Sequence, residues 1–312
     1  MSDDASDASP QAVSAPPRGL VLVSTPIGNL ADLPPRGREA LASADTILCE
    51  DTRHTARLMA AIGARARLVA LHEHNEDARI PEVLERLRAG ASVALVSDAG
   101  TPLVSDPGYR LVRAVIAEGL PVTAVPGPNA ALTALVLSGL PPLPFLVLGF
   151  PPPRPAARRA AFTRLRAAER AGLAATLIWH EAPHRLGESL ADMAATFGDR
   201  PAAVCRELTK LFEEVRHGGL KALADAYAAA PPRGEITVVV GPAPEEHAGE
   251  PELEVLLTEA LGTHTTRDAA ALVAEATGLP RRVVYARAMQ LARGGQGDPS
   301  PQPGSRKGRG HG

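Results

Sequence analysis

Short apolar or β-branched runs recur along the chain at residues 20–23, 47–49, 93–96, 122–125, 145–148, 176–179 and 236–240. Each is short enough for a buried strand, and most are separated by stretches with helical spacing. Residues 81–89 place Val83, Leu84 and Leu87 on one face and charges on the other, and 109–118 repeat that pattern. Alternation of this kind predicts βαβ units, a largely parallel sheet and an α/β fold.

Proline marks the main interruption. The stretch 140–155 is proline-rich around the apolar run 145–150, which suits a crossing between domains rather than a helix or central strand. A boundary near Leu140 gives one α/β domain over 19–139 and a second over 140–242. Residues 251–293 read as three short helices. Thr265-Thr266-Arg267-Asp268 starts one that runs to Thr277, Gly278 turns the chain, and Pro280 opens the next, which carries Arg281, Arg282, Tyr285 and Arg287. That order resembles a helix-turn-helix unit; a helical lid or dimer brace fits equally. The tails, 1–18 and a basic 294–312 with Arg306-Lys307-Gly308-Arg309, lack hydrophobic anchors and are expected to be disordered.

With 312 residues and 45% hydrophobic content, the chain has enough apolar material for two modest cores. A formal charge of −2 carries no global nucleic-acid signature, so any nucleic-acid contact must come from a local patch. Cys49 and Cys205 are far apart and in no CxxC spacing, which argues against a disulfide framework or a zinc ribbon and suits a reducing, cytoplasmic setting. No secretory signal or membrane-length apolar stretch is evident.

The richest candidate chemistry follows the run 93–96. Ser97-Asp98-Ala99-Gly100-Thr101-Pro102-Leu103-Val104-Ser105-Asp106-Pro107-Gly108 is a long loop of small, turn-forming and acidic residues at the carboxyl end of an expected strand. Open α/β sheets bind ligands there. A tight strand-to-helix turn with Asp106 as helix N-cap is the alternative. The loop lacks a GxGxxG dinucleotide fingerprint, and Ser24 sits in no G-x-S-x-G elbow. His72-Glu73-His74 has no third ligand at a diagnostic spacing, so no metal site is expected. Glu50, Asp51, Glu181, His184 and Glu207 are candidate proton acceptors near strand ends. Glu50-Asp51-Thr52-Arg53 suits proton acceptance, ribose or phosphate contact through Arg53, or an Asp-capped helix start.

Several strings now add up: Ser24-Thr25-Pro26-Ile27-Gly28-Asn29-Leu30, Glu50-Asp51-Thr52-Arg53, the Ser97 loop, Val125-Pro126-Gly127-Pro128-Asn129-Ala130, His180-Glu181-Ala182-Pro183-His184-Arg185, Arg206-Glu207-Leu208-Thr209-Lys210 and Arg233-Gly234-Glu235-Ile236-Thr237. In order and wording the chain resembles the ribosomal RNA small-subunit methyltransferase I family of the tetrapyrrole methylase superfamily, over roughly residues 20–293. The resemblance implies a two-domain fold with an S-adenosylmethionine cleft between the domains, a small C-terminal helical region and a homodimer. It further implies methylation of a cytidine ribose 2′-hydroxyl in the decoding centre of 16S rRNA, within the 30S subunit. Carried over residue by residue, it assigns cofactor contact to Pro26, Gly28, Asp98, Ala99, Gly100, Thr101, Pro102, Pro126, Gly127 and Gly234.

For RNA contact, Arg154, Arg158 and Arg159 open the densest basic stretch before the tail, which continues through Arg164, Arg166 and Arg170, while Arg281 and Arg282 lie in the helical region. A solvated Ala-Arg helix gives the same pattern. At 3% aromatic content, base stacking has little support as the main mode of recognition. A small-molecule methylase of the same superfamily, or a non-catalytic RNA-binding assembly factor, are the competing readings.

Overall fold

The computed structural model describes residues 18–244 and 250–294, which fall into two compact units that divide between Ala243 and Pro244. The tails expected to be disordered lie outside the described residues, apart from Arg18 and Gly294.

The first unit contains two five-stranded sheets. In the first, β1 (Gly19–Val23), β2 (Thr46–Cys49), β3 (Arg67–Ala70), β4 (Ser92–Val96) and β5 (Val122–Val125) run parallel in the order β3-β2-β4-β1-β5. Successive side chains point to opposite faces, and both faces are covered. Ala94 and Val96 of β4 pack with Leu41 of α1 (Pro35–Ser43) and Met59 of α2 (Thr52–Ala61). Val93 and Leu95 pack on the other side with Leu84 of α3 (Glu76–Arg88) and Val115 of α4 (Tyr109–Ala117). Burial on both faces makes these strands continuous apolar runs in the sequence.

The second sheet corrects the expectation of a parallel architecture. Its strands are β6 (Phe145–Val147), β7 (Thr176–Glu181), β8 (Pro201–Arg206), β9 (Glu214–Gly219) and β10 (Ile236–Val240), in the order β6-β7-β10-β8-β9. Only β6 and β7 pair in parallel; β10 runs antiparallel to both its neighbours, and β8 pairs antiparallel with β9. The connections explain the difference: β8 and β9 are joined by a short link with no crossover helix, so the chain simply reverses. One face packs on Phe162 of α6 (Pro155–Arg170), Leu190 of α7 (Leu186–Phe197) and Leu223 of α8 (Leu220–Ala229). On the other face Ile178, Ala203 and Val239 meet Ala131, Ala134 and Leu135 of α5 (Ala130–Leu137). Helix α5 follows β5 of the first sheet directly, so its packing on the second sheet fixes the two sheets around a shared cleft.

The second unit holds α9 (Glu250–Leu261), α10 (Thr266–Thr277) and α11 (Arg281–Gly294) around Leu257, Ala270, Val273 and Val284. Thr265 caps α10 by accepting from the Asp268 amide, and Gly278 takes the left-handed conformation that ends it, at φ 70°.

Candidate active site

Two cavities open at the carboxyl ends of the strands of the first sheet, one of about 370 Å³ and one of about 290 Å³. Ile27, Ala99 and Glu235 line both, so the two are neighbours across a common wall.

The larger cavity lies between the loop after β4 and the strand ends of the second sheet. On the loop side it is lined by Ala99, Gly100, Thr101 and residues 104–106, and by Asn129 and Ala130 at the start of α5. Backbone conformation is spent freely here. Gly100 has φ 83°, and its amide and carbonyl exchange hydrogen bonds of 3.1 and 2.9 Å with the carbonyl and amide of Thr25, tying this loop to the one after β1. Leu103 and Ser105 both sit at φ 71°, a left-handed conformation that side chains avoid and that clusters at ligand sites. Gly108 (φ 118°), not Asp106, occupies the N-cap position of α4. That frees Asp106 to line the cavity, where burial, with Glu50 and Asp98 nearby, pushes its carboxyl up to about 6. Thr101 and Asn129 bond each other, Nδ2 to Oγ1, at 3.3 Å.

The facing side comes from Phe150 and the ends of β7, β8 and β10. His180 lies 3.2 Å through Nδ1 from Thr237 Oγ1, its ring against Phe150, and burial holds it below the usual histidine range. A clamp of charges fixes the rim. Glu207 accepts from Lys210 Nζ at 2.8 Å and from the Glu235 amide at 2.9 Å, and Lys210 reaches the Glu235 carboxylate at 3.2 Å. Those donors hold the Glu207 carboxyl below the usual carboxylate range. Gly234, at φ 90°, is required: a Cβ there would fall 2.3 Å from Glu207 Oε1.

Of the residues assigned to the cofactor from sequence, Ala99, Gly100, Thr101 and Gly234 line the larger cavity, and Pro26, Gly28, Asp98 and Ala99 the smaller. Pro102, Pro126 and Gly127 line neither, although Gly127 packs so tightly that a Cβ would meet Ser24 Cβ at 2.9 Å.

The candidate proton acceptors fare differently. Glu181 is buried and lines the larger cavity, and its carboxylate accepts from the Ala182 amide and the Ser189 hydroxyl and pairs with Arg185, so it holds the turn into α7. Asp51 is the N-cap of α2 and pairs with Arg53, which draws its carboxyl down to about 2; the helix-start reading is the one realised. Glu50, Asp51, Arg53 and His184 line neither cavity. Asp106, His180 and Glu235 were missed as individual site residues. All three lie within the motifs of the sequence, but only the fold reveals that they line one cavity.

Among the RNA candidates, Arg158 is corrected. It is 2% exposed and bonds Asp192 at 2.7 Å through Nε and Glu188 through Nη2, bracing α6 against α7, so it presents nothing to a phosphate. The reason is helical phase: Arg158 shares the inward face of α6 with Phe162 and Glu169. Arg154 and Arg159 are exposed on that helix, and Arg281 and Arg282 at the start of α11. No helix among the described residues is long and apolar enough to cross a membrane.

These two sheets, with a cleft at their strand ends, define the class. The family model for tetrapyrrole (corrin/porphyrin) methylases matches residues 19–224, and that for the RsmI C-terminal HTH domain matches 247–292. Solved structures of a cobalt precorrin-4 methyltransferase (TM-score 0.53, 19% identity, 71% of this chain and 94% of that one) and of a diphthine synthase (0.51, 18%, 71% and 89%) share the fold.

The nearer relationship is by sequence. Proteins named ribosomal RNA small subunit methyltransferase I from Mesorhizobium japonicum and Micromonospora olivasterospora are 50% and 49% identical over 89% of this chain, and the match covers 94% and 89% of their own lengths. The chain belongs to the ribosomal RNA small subunit methyltransferase I family. It is an S-adenosylmethionine-dependent methyltransferase. The larger cavity suits that cofactor. Ile27, Val104, Phe150 and Leu208 give it apolar walls of the kind an adenosine needs, and Asp106 and Glu235 bring carboxylates that suit a sulfonium and an ammonium.

Proposed function

We propose that this chain methylates 16S rRNA of the small ribosomal subunit, on the ribose 2′-hydroxyl of a cytidine in the decoding centre, and that it acts on the 30S particle as a homodimer. The observation that carries the reading is the near full-length match to relatives named for small-subunit rRNA methylation, extending through the C-terminal helix-turn-helix match. In this reading the α/β domains, residues 19–139 and 140–242, hold the cofactor between them in the larger cavity, which Ala99, Gly100, Thr101 and Gly234 line, while Pro26, Gly28 and Asp98 line its smaller neighbour. Exposed Arg154, Arg159, Arg281 and Arg282 supply phosphate contacts. For the homodimer, Leu132, Val136 and Leu137 of α5 together with Leu143 supply exposed apolar side chains suited to burial against a second copy.

Methyl transfer from a sulfonium to an oxygen neutralises charge as it proceeds, so alignment outweighs base strength. Positioning contributes roughly 7–11 kcal/mol to such reactions, against approximately 10²- to 10⁴-fold for a general base. A constrained cleft whose loop backbone is fixed by the Thr25–Gly100 bridge meets that requirement. The test is transfer of labelled methyl from S-adenosylmethionine to 30S particles from cells lacking this protein, followed by nuclease mapping. A single 2′-O-methylcytidine is expected; no incorporation by protein that still binds the cofactor would move the substrate to small molecules.

A further inference from the structure

The smaller cavity has Arg57 and Lys210 in its lining, whereas the larger one has neither arginine nor lysine. Two side chains from one side of α2, the His54 imidazole and the Arg57 guanidinium, line it, one helical turn apart, with Leu58 buried beneath them. Neither the Arg57 guanidinium nor the His54 ring has a hydrogen-bond or ion-pair partner among the described residues, whereas Arg53 on the same helix is tied to Asp51. Pro26, Leu30 and Leu58 add an apolar lining, and Leu30 is 54% exposed at its edge. Ile27, Ala99 and Glu235 form the wall it shares with the larger cavity. Arg57 and His54 therefore line only this cavity, whereas the Glu235 carboxylate, paired with Lys210 at 3.2 Å, lines both.

We propose that this second cavity receives a single nucleotide of the RNA substrate, turned out of its stack, with its phosphate on Arg57 and His54, its base against Pro26 and Leu30, and its ribose at the Glu235 wall. The assignment rests on the RNA reading above. Enzymes that modify a nucleotide inside a structured nucleic acid commonly extrude it into a pocket, and a free guanidinium is the strongest side-chain partner for a phosphate. The close approach of Gly28, where a Cβ would fall 2.4 Å from Lys210 Cγ, keeps the Lys210 side chain packed along the cavity.

The test compares Arg57→Glu with Arg65→Glu, an exposed arginine lining neither cavity, in the full-length protein. Three measurements are made: cofactor affinity by calorimetry, KM for 30S particles, and the slope of log KM against log salt. Arg57→Glu is expected to raise KM about tenfold and reduce the salt slope by roughly one phosphate contact with cofactor affinity unchanged. Leu30→Trp, which narrows the cavity without altering charge, is expected to raise KM with the salt slope kept. If Arg57→Glu shifts KM and slope no more than Arg65→Glu, or if Leu30→Trp is silent, the cavity is not the nucleotide site. If wild-type protein binds the cofactor but methylates no 30S particle, the underlying RNA reading fails instead.

Discussion

The two sides of the larger cavity are built by opposite means. The side from the parallel sheet is made of backbone: Gly100, Leu103 and Ser105 in left-handed conformations, a paired bridge to Thr25, and one carboxyl, Asp106, left without an ion pair. The side from the mixed sheet is made of locked charge: Glu181 among its donors, and Glu207 between Lys210 and the Glu235 amide. A backbone wall lets a ligand come close and places amides and carbonyls against it. A charged wall holds antiparallel strand ends in register where no crossover helix braces them. The first should therefore respond to mutation mostly through ligand affinity, the second mostly through stability.

The largest effect is expected on the charged side. Glu181→Ala leaves Arg185 and Ser189 without their common partner in a buried setting, and such losses cost about 3–5 kcal/mol. Urea unfolding checks it. A loss below 1 kcal/mol would mean that the carboxylate is dispensable to the fold and available for chemistry after all.

On the backbone side, Gly100→Val puts a β-branched residue at φ 83°, with Cβ already 3.3 Å from Ile27 Cγ2. We expect about a 100-fold loss of cofactor affinity, roughly 2.7 kcal/mol, by calorimetry, with near-UV circular dichroism kept. Unchanged affinity would remove the loop from the cofactor site. Gly234→Ala sharpens the contrast, because this glycine belongs to the charged side. Its φ of 90° and the overlap with Glu207 should cost about 2 kcal/mol of stability. A loss of affinity without loss of stability would erase the distinction between the two sides.

How much of this was legible follows the same divide. The parallel sheet announced itself because strands buried on both faces are unbroken apolar runs, and the loop after β4 followed from where its strand ends. The mixed sheet was only half visible. Its edge strand β9 carries Arg216 and His217, which suit an exposed edge but erase strand periodicity, and β8 begins on Pro201; the parallel sheet loses its own edge strand β3, which opens on Arg67, for the same reason. Arg158 and Arg159 are adjacent letters of the same type, yet one braces two helices and the other faces solvent, because a step of one residue turns the helix by more than a quarter circle. The cap at Asp51 was legible as the alternative to proton acceptance, because capping is local. Glu235 and Asp106 gain their meaning from residues far along the chain, and no local pattern encodes that.

The smallest expected effect isolates the lone carboxyl of the backbone side. Asp106 is raised from 3.8 to about 6, mainly by burial, so its ionised form is disfavoured in the folded protein. Below pH 4 the group is protonated folded and unfolded, and it contributes nothing to the pH dependence. As pH rises from 4 to 6 the unfolded chain releases the proton first, and stability falls; above 6 the penalty is complete. Asp106→Asn removes the titration, so wild type minus variant should decline across that window and level off, by roughly 1 kcal/mol after allowance for solvent screening of a half-buried group. The same charge has a reason to be retained. If the cofactor's cationic groups lie against Asp106, bound cofactor should pull its pKa down and flatten the pH dependence in wild type, while Asp106→Asn loses affinity at pH 7.5 and little at pH 5. An unfolding difference that is flat between pH 4 and 6, or an affinity loss equal at both pH values, would show that Asp106 is an ordinary surface acid and that the backbone side recognises its ligand without charge.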